Sequence, residues 1–155
     1  MSKIIKPIKF FLLFLFTTIL LTILLIIFIT TKSLPNYNRI VVNSLVEEDV
    51  QIFRNKYAIP NIVGKTTKDT FFALGYVHAQ DRLWQMILLR KTAKGKLSES
   101  FGEQYLESDK LMRTLDIYNN SKNSVKFLSN QTLNLLKSYS NGINKRLLDI
   151  KNEGL

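Results

Sequence analysis

A histidine, an aspartate and an arginine stand close together in the middle of this chain. His78 and Asp81 are three residues apart, and Arg82 follows directly. On a helix the first two share one face, and an imidazole beside a carboxylate is able to act as a general base. No motif places a nucleophile near them, and one histidine alone cannot form a metal site. We therefore predict a structural role, in which Asp81 and Arg82 tie a long helix to neighbouring segments through charge-assisted hydrogen bonds.

The other polar residues suggest little further chemistry. Ser98 precedes Glu99, but no Gly-x-Ser-x-Gly elbow surrounds it, which favours a helix cap or a turn. Asp109 and Arg113 are four apart and predict an ion pair on a helix surface. The run Trp84-Gln85-Met86 would be able to line a pocket, although its helical spacing favours plain core packing. The sequence has no glycine-rich phosphate loop, zinc spacing or calcium loop, so we predict no catalytic residue and no metal ligand in this chain.

The chain around these residues predicts a hairpin and three helical segments. Residues 45–64 are rich in strand formers on both sides of a turn at 55–60. A long helix is predicted from Thr67, with Thr67 as its cap and Gly95 as its stop. Residues 97–116 predict helical pieces broken near Gly102, and residues 131–151 a helix capped by Asn130 or Ser129.

The apolar residues of the last helix recur at spacings of three and four, which predicts one buried stripe. The stripe consists of Leu133, Leu136, Tyr139, Ile143, Leu147 and Ile150.

The N-terminal segment 10–29 contains no charged residue, no glycine and no proline. Twenty helical residues span about 30 Å, which is the thickness of a bilayer's hydrocarbon core. This length favours an uncleaved transmembrane anchor over a cleavable signal. Lys3, Lys6 and Lys9 precede the segment, whereas Lys32 and Arg39 follow it. We predict a cytoplasmic N-terminus, with the C-terminal part periplasmic or extracellular.

The net charge of +10 does not indicate a nucleic-acid partner, because the basic residues are scattered along the chain rather than clustered. The absence of cysteine is compatible with an oxidising compartment.

Two stretches of this sequence resemble a known family. The first is Gly75-Tyr-Val-His78-Ala-Gln80-Asp81-Arg82-Leu-Trp84-Gln-Met86, and the second is Val50-Gln-Ile-Phe-Arg54-Asn55-Lys-Tyr57-Ala58-Ile59-Pro60. Together they are similar to the N-terminal (α-chain) region of the penicillin acylase family, within the N-terminal-nucleophile hydrolases. The resemblance covers roughly residues 46–150. Asn55, Ala58 and Asn61 depart from the family's usual Asp, Gly and His.

The resemblance implies an α+β fragment of an αββα fold, mostly helical, with a short β hairpin. It implies hydrolysis of linear amides such as penicillins, cephalosporin side chains or acyl-homoserine lactones. The nucleophilic serine of the family begins a separate β chain, so we expect a downstream β-chain-like polypeptide as partner. The chain ends before the expected cut site, and calcium is implied only for the complete enzyme. Six residues form the motif for which the resemblance implies a structural role: His78, Gln80, Asp81, Arg82, Trp84 and Arg90.

The predicted organisation is a cytoplasmic basic flank at 1–9, a transmembrane anchor or uncleaved signal at 10–29, a linker at 30–44 and a truncated, penicillin acylase-like α-chain region at 45–155. One alternative remains open at this point. The second hypothesis is a catalytically inactive, membrane-anchored remnant or interaction module from a truncated or split gene.

Overall fold

The computed structural model describes residues 2–33, 37 and 43–153, with side chains described for residues 8–32, 37 and 43–153. Contacts divide the chain into a first unit up to residue 40 and a second unit over residues 41–154. Much of the predicted linker at 30–44 lies outside the described residues.

The first unit contains the helix α1 (Ser2–Ser33). Its segment Ile8–Lys32 has 25 residues and a mean hydropathy of 3.1, which makes it long and apolar enough to cross a membrane. A signal sequence near an N-terminus has the same properties. The threonine hydroxyls of this helix donate to its own carbonyls, as Thr17 and Thr18 do to Phe14 O at 2.8 Å each. Such internal pairing is what an apolar surrounding requires.

The second unit begins with an antiparallel hairpin, β1 (Val50–Arg54) and β2 (Pro60–Gly64). Its turn is closed by the Ala58 N–H, which donates to Asn55 O at 2.9 Å, and by the Asn55 N–H, which donates to Ile59 O at 3.1 Å. The Asn55 side-chain oxygen also accepts from the Tyr57 and Ile59 N–H groups. Ala58 adopts a φ of 60°, a left-handed conformation that glycine reaches without strain. The local bonds of Asn55 therefore hold the turn even though Ala58 replaces the family's glycine.

The long helix α2 (Thr67–Ala93) begins at the predicted residue, but its cap lies one residue before the predicted one. Thr66, not Thr67, is the cap, and its hydroxyl accepts from the Asp69 N–H at 3.0 Å. The helix is kinked at Arg82, where φ is −137° and ψ is 21°. Gly95 follows the helix with a φ of 59°, in agreement with its predicted role as a stop signal.

Short helices connect α2 to the last helix. They are α3 (Ser98–Phe101), α4 (Leu106–Thr114) and α5 (Ile117–Ser124), with single 3-10 turns at Glu103–Tyr105 and Val125–Phe127. The last helix is α6 (Asn130–Glu153). Ser129 is its cap, because its hydroxyl accepts from the Thr132 N–H at 3.1 Å.

The core of the second unit lies where α2 packs on α6. The buried residues of α2 in this contact are mostly small or aromatic: Phe72, Ala73, Gly75, Tyr76, Val77 and Ala79. The helices meet so closely that a Cβ added at Gly75 would lie 2.0 Å from Tyr139 O. A Cβ added at Gly142 would lie 1.9 Å from Phe72 O. The two glycines therefore set the distance between the two backbones.

The buried face of α6 is not the predicted apolar stripe. It consists of Ser138, Gly142, Arg146 and Asp149. Leu136 is 45% exposed and Leu147 41% exposed. At about 100° per residue the apolar stripe lies roughly a third of a turn away from this buried face. The prediction is wrong for Leu136 and Leu147 because α2 comes closest to α6 at Gly142, and the face centred on that glycine is the buried one.

Candidate functional site

The hairpin is joined to α2 by an ion pair between Arg54 and Asp81. The guanidinium donates to both carboxylate oxygens, from Nη1 at 2.9 Å and from Nη2 at 2.8 Å. Nη1 also donates to Ala58 O at 2.8 Å, and Nη2 to Gln80 Oε1 at 3.3 Å. The two charged side chains are only 13% and 24% exposed. This planar, two-point contact fixes the end of the hairpin against α2 just before the kink.

His78 has a different partner from Asp81. Its Nδ1 lies 3.0 Å from the hydroxyl of Tyr139 on α6, with the two rings edge to face. Because Asp81 is engaged by Arg54, the base–carboxylate pair that the three-residue spacing allowed does not form. His78 links α2 to α6 instead.

The other three motif residues, Arg82, Trp84 and Arg90, are exposed on the surface of this unit. Arg82 and Arg90 are exposed, and their side chains form no hydrogen bond or ion pair with the described residues. Trp84 is 63% exposed and packs edge to face on Phe101, with ring centroids 6.2 Å apart. The expected core position of Trp84 is wrong for the described part of the chain, since the buried residues of α2 all lie between residues 69 and 79.

Ser98 is bound by an aspartate whose role the sequence did not reveal. Its hydroxyl donates to Asp109 at 2.6 Å, and its N–H and that of Leu97 donate to the same carboxylate at 2.8 Å each. Burial by itself would raise the pKa of Asp109, but these hydrogen bonds outweigh burial and hold that pKa below its ordinary value. A carboxylate of lowered pKa is a weak base, so Asp109 does not activate Ser98.

The predicted surface ion pair of Asp109 with Arg113 is wrong. Asp109 is only 2% exposed, and the Arg113 Nε donates to Gly95 O at 2.9 Å. Asp109 therefore stabilises the turn after α2 by accepting from the backbone N–H groups of Leu97 and Ser98. Arg113 stabilises the same turn by donating to the carbonyl of Gly95. The only local signal was an acidic residue in the first turn of α4, which many helices share.

A second buried aspartate works in the same way at the start of α2. Asp69 accepts from the Glu47 and Glu48 N–H groups at 3.1 and 3.2 Å and from the Thr66 hydroxyl at 2.6 Å. Burial alone would raise the pKa of Asp69, but the hydrogen bonds outweigh it and keep that pKa below its ordinary value. Asp69 thereby joins the segment before the hairpin to α2. The sequence indicated only its place in the first turn.

Taken together, these contacts form a scaffold rather than a reaction centre. Ser98 and His78 do not contact each other. His78 is bound to Tyr139, and Ser98 is bound to Asp109. Within the described ranges, no group of three or more His, Asp or Glu side chains is arranged to hold a metal ion. The scaffold can position the hairpin, α2 and α6, and it offers no activated nucleophile.

Comparisons with known proteins give the scaffold a family. The Penicillin amidase family matches residues 49–154. An acyl-homoserine lactone acylase, QuiP, of Pseudomonas syringae pv. tomato is 37% identical over 100 residues, which are 64% of this chain and 12% of that protein. Penicillin acylase 2 proenzyme of a Pseudomonas species is 36% identical over 95 residues, or 61% of this chain and 12% of that one.

A solved structure of a thermostable penicillin G acylase from Alcaligenes faecalis shares the fold. It superposes with a TM-score of 0.61 at 23% identity, covering 68% of this chain and 56% of the other. This chain thus spans only a small part of the curated relatives that it matches. The resemblance read from the Arg54 and Asp81 segments is confirmed, and the family match includes both members of the ion pair that joins hairpin to helix. The chain belongs to the penicillin amidase family.

Proposed function

We propose that this chain is the N-terminal, α-chain part of a penicillin acylase-like amidase. The complete enzyme would hydrolyse linear amides and release an acyl group from an amine such as a β-lactam nucleus or a homoserine lactone. Relatives named for both substrate classes match the chain at similar identity, so the proposal includes both. The four-layer αββα sandwich belongs to the complete enzyme on this proposal.

One observation carries the proposal. The family match at residues 49–154 falls on a unit whose polar side chains are used to hold the scaffold together. Ser98 is bound to Asp109, His78 to Tyr139 and Asp81 to Arg54. A scaffold of this kind needs a nucleophile from elsewhere. We assign that nucleophile to a serine on a downstream β-chain-like polypeptide.

The chemistry of the reaction supports this division of labour. The serine hydroxyl oxygen would bond to the amide carbonyl carbon, its proton would pass to the leaving amine, and water would then hydrolyse the acyl ester. The base and the oxyanion donors must lie within hydrogen-bond reach of that carbonyl. On this proposal they belong to the same downstream polypeptide. Any calcium of the complete enzyme would be held by groups outside the described residues, and no step is assigned to it.

We also propose that α1 anchors the enzyme in a membrane, with the second unit periplasmic or extracellular. Its apolar segment Ile8–Lys32 and the three lysines before residue 10 support this orientation. Reporter fusions at Leu155 test it, because a cytoplasmic signal from that position would contradict the topology.

The decisive experiment for the enzyme begins with the DNA that follows the codon for Leu155. We expect an open frame encoding a serine that processing would make N-terminal. The full chain, in detergent, is assayed with a chromogenic phenylacetyl anilide and a long-acyl anilide, alone and co-expressed with the downstream polypeptide. Turnover should appear only in the co-expressed sample.

Two outcomes would contradict the proposal. The absence of a downstream frame would favour an inactive remnant. Turnover by the chain alone that disappears in Ser98→Ala or His78→Ala would place the active site within this chain. Ser100→Ala is a matched control for Ser98→Ala, since Ser100 lies on the same short helix and is exposed.

A further inference from the structure

A cavity of about 420 Å³ lies between α6, the first turn of α2 and the segment that precedes the hairpin. All of its lining residues belong to the second unit. The volume is within the range of small-molecule binding sites. α6 contributes four lining residues at spacings of three and four, which place them on one side of the helix. They are Asn134, Lys137, Ser138 and Asn141.

Buried hydrogen bonds fix the walls of this cavity. The segment before the hairpin is joined to α2 by the Asp69 carboxylate, which accepts from the Glu47 and Glu48 N–H groups. α6 is joined to α2 by the Ser138 hydroxyl, which donates to Lys68 O at 2.7 Å. Asp69 is fully buried and Ser138 is 5% exposed. The cavity is therefore formed by the folded chain itself, which lowers the entropy cost of binding a ligand.

The charges that line the cavity leave one positive charge without a counterpart. Glu47 and Lys68 form an ion pair with each other. Lys137 forms no hydrogen bond or ion pair with the described residues. One free ammonium group favours a ligand with a single negative charge, and a carboxylate accepts a charge-assisted hydrogen bond from it.

Two side-chain amides lie on either side of this ammonium group. Along the helix axis, Asn134 is about 4.5 Å and Asn141 about 6 Å from Lys137. Neither asparagine side chain forms a hydrogen bond with the described residues. A carboxamide both donates and accepts, so it is able to pair with the C=O and the N–H of a ligand amide. The arrangement fits an amide and a carboxylate that are a few bonds apart.

We propose that this cavity binds a small molecule that carries both an amide and a carboxylate, as an N-acyl amino acid does. The carboxylate binds Lys137, and the amide binds Asn134 or Asn141. Among the described lining residues only Leu45 is apolar, and it is 49% exposed, which suits a short acyl group. No bond is made or broken at this site. The inference goes beyond the proposed function and does not depend on it, because this chain supplies the whole lining.

Nuclear magnetic resonance of the full chain in detergent tests the proposal, with N-acetylglycine as the probe. The side-chain amide signals of Asn134 and Asn141 should shift on titration. The signal of Asn144, which is exposed on the same helix outside the cavity, is the internal control and should not shift. N-acetylglycinamide lacks the carboxylate and acetate lacks the amide, so each should bind at least about tenfold more weakly.

Substitutions of lysine on α6 provide a second readout. Lys137→Gln should weaken N-acetylglycine binding at least about tenfold, because the charge-assisted hydrogen bond is lost. Lys137→Arg keeps the charge and should weaken binding less. Lys151→Gln is the matched control, since Lys151 is exposed on the same helix outside the cavity, and it should leave the affinity unchanged.

Three results would overturn the proposal. The first is the absence of shifts at Asn134 and Asn141, and the second is equal affinity in wild type and Lys137→Gln. The third is equal affinity for acetate and N-acetylglycine, which would reduce the cavity to a simple anion site. A lack of amidase activity in the co-expressed sample would contradict the proposed function and leave this site unaffected.

Discussion

Replacement of Gly142 by alanine should destabilise the second unit, against the usual sign of that change. In a helix interior, alanine is normally more favourable than glycine by about 1 kcal/mol. Gly142 lies within α6 at its contact with α2, where the residue is buried. The expected result depends on the close approach of the two backbones.

The magnitude follows from the geometry of that approach. The added Cβ would lie 1.9 Å from Phe72 O and 2.8 Å from the Tyr76 nitrogen. Ordinary contacts begin near 3.4 Å, so the carbonyl and the Cβ must separate by about 1.5 Å in a close-packed interior. Both obstructing atoms are backbone, so no side chain can rotate away. Overpacking of this kind costs about 3 kcal/mol, which leaves a net loss of about 2 kcal/mol after the gain in helix propensity.

The separation would also strain the polar contacts on either side of the glycines. The Ser138 hydroxyl donates to Lys68 O at 2.7 Å, and the Tyr76 hydroxyl donates to Asp149 at 2.9 Å. Both bonds join α2 to α6, so both lengthen when the helices move apart. Their loss would add to the cost, since buried polar groups without partners are unfavourable.

Thermal unfolding of the full chain in detergent, followed by far-UV circular dichroism, measures the effect. We expect the midpoint of Gly142→Ala to fall by on the order of 10 °C. Asn144→Ala is the matched control, because Asn144 is exposed on the same helix, and its midpoint should stay level or rise slightly. A higher midpoint for Gly142→Ala than for the wild type would refute the close approach.

A double substitution examines whether the two glycines act on one contact. A Cβ at Gly75 would lie 2.0 Å from Tyr139 O. If one substitution already separates the helices, the second has less to displace. The loss in Gly75→Ala/Gly142→Ala should therefore be smaller than the sum of the single losses.

Three further predictions concern the hairpin and the buried carboxylates. Ala58→Gly should stabilise the second unit by about 1 kcal/mol in urea unfolding, because glycine relieves the left-handed backbone strain; a lower midpoint would contradict this. Arg54→Lys should lower the free energy of unfolding by about 1–2 kcal/mol in the same measurement, since lysine cannot make the two-point contact with Asp81. When Asp81 has already been replaced by asparagine, Arg54→Lys should lower it by less, because the contact is already weakened. The lowered pKa values of Asp69 and Asp109 predict stability that is complete above their ordinary pKa of about 3.9 and is lost as the pH falls below it. Asp109→Asn should flatten the acid side of the midpoint–pH curve, and an unchanged slope in Asp69→Asn/Asp109→Asn would refute the assignment.

Much of the local structure of this chain can be predicted from short stretches of its sequence. The hairpin followed from strand formers on either side of a turn, and the end of α2 from Gly95 with its positive φ. The apolar segment of α1 was equally evident, as the uncharged run at residues 10–29. These features depend on residues within a few positions of one another, so a local pattern is sufficient to predict them. The motif around Asp81 was recognisable for the same reason.

The candidate site was predictable only in part. The sequence indicated that Asp81 serves a structural contact, but its partner Arg54 lies 27 residues away on another element. Asp109 and Asp69 looked like ordinary first-turn acids. Their partners include backbone N–H groups, which every residue except proline has, so no residue type in the sequence identifies them. Only the folded chain brings those groups to the carboxylates.

The burial of α6 was decided by the tertiary structure alone. The sequence determined that Leu136 and Leu147 share an apolar side of the helix. It did not determine which side faces α2, because that depends on where two backbones can come closest. Gly75 and Gly142 are 67 positions apart in the sequence and permit that approach, and the helix is rotated so that they meet. An apolar pattern indicates which side of a helix is hydrophobic, whereas the positions of the smallest side chains determine where two helix backbones can come closest.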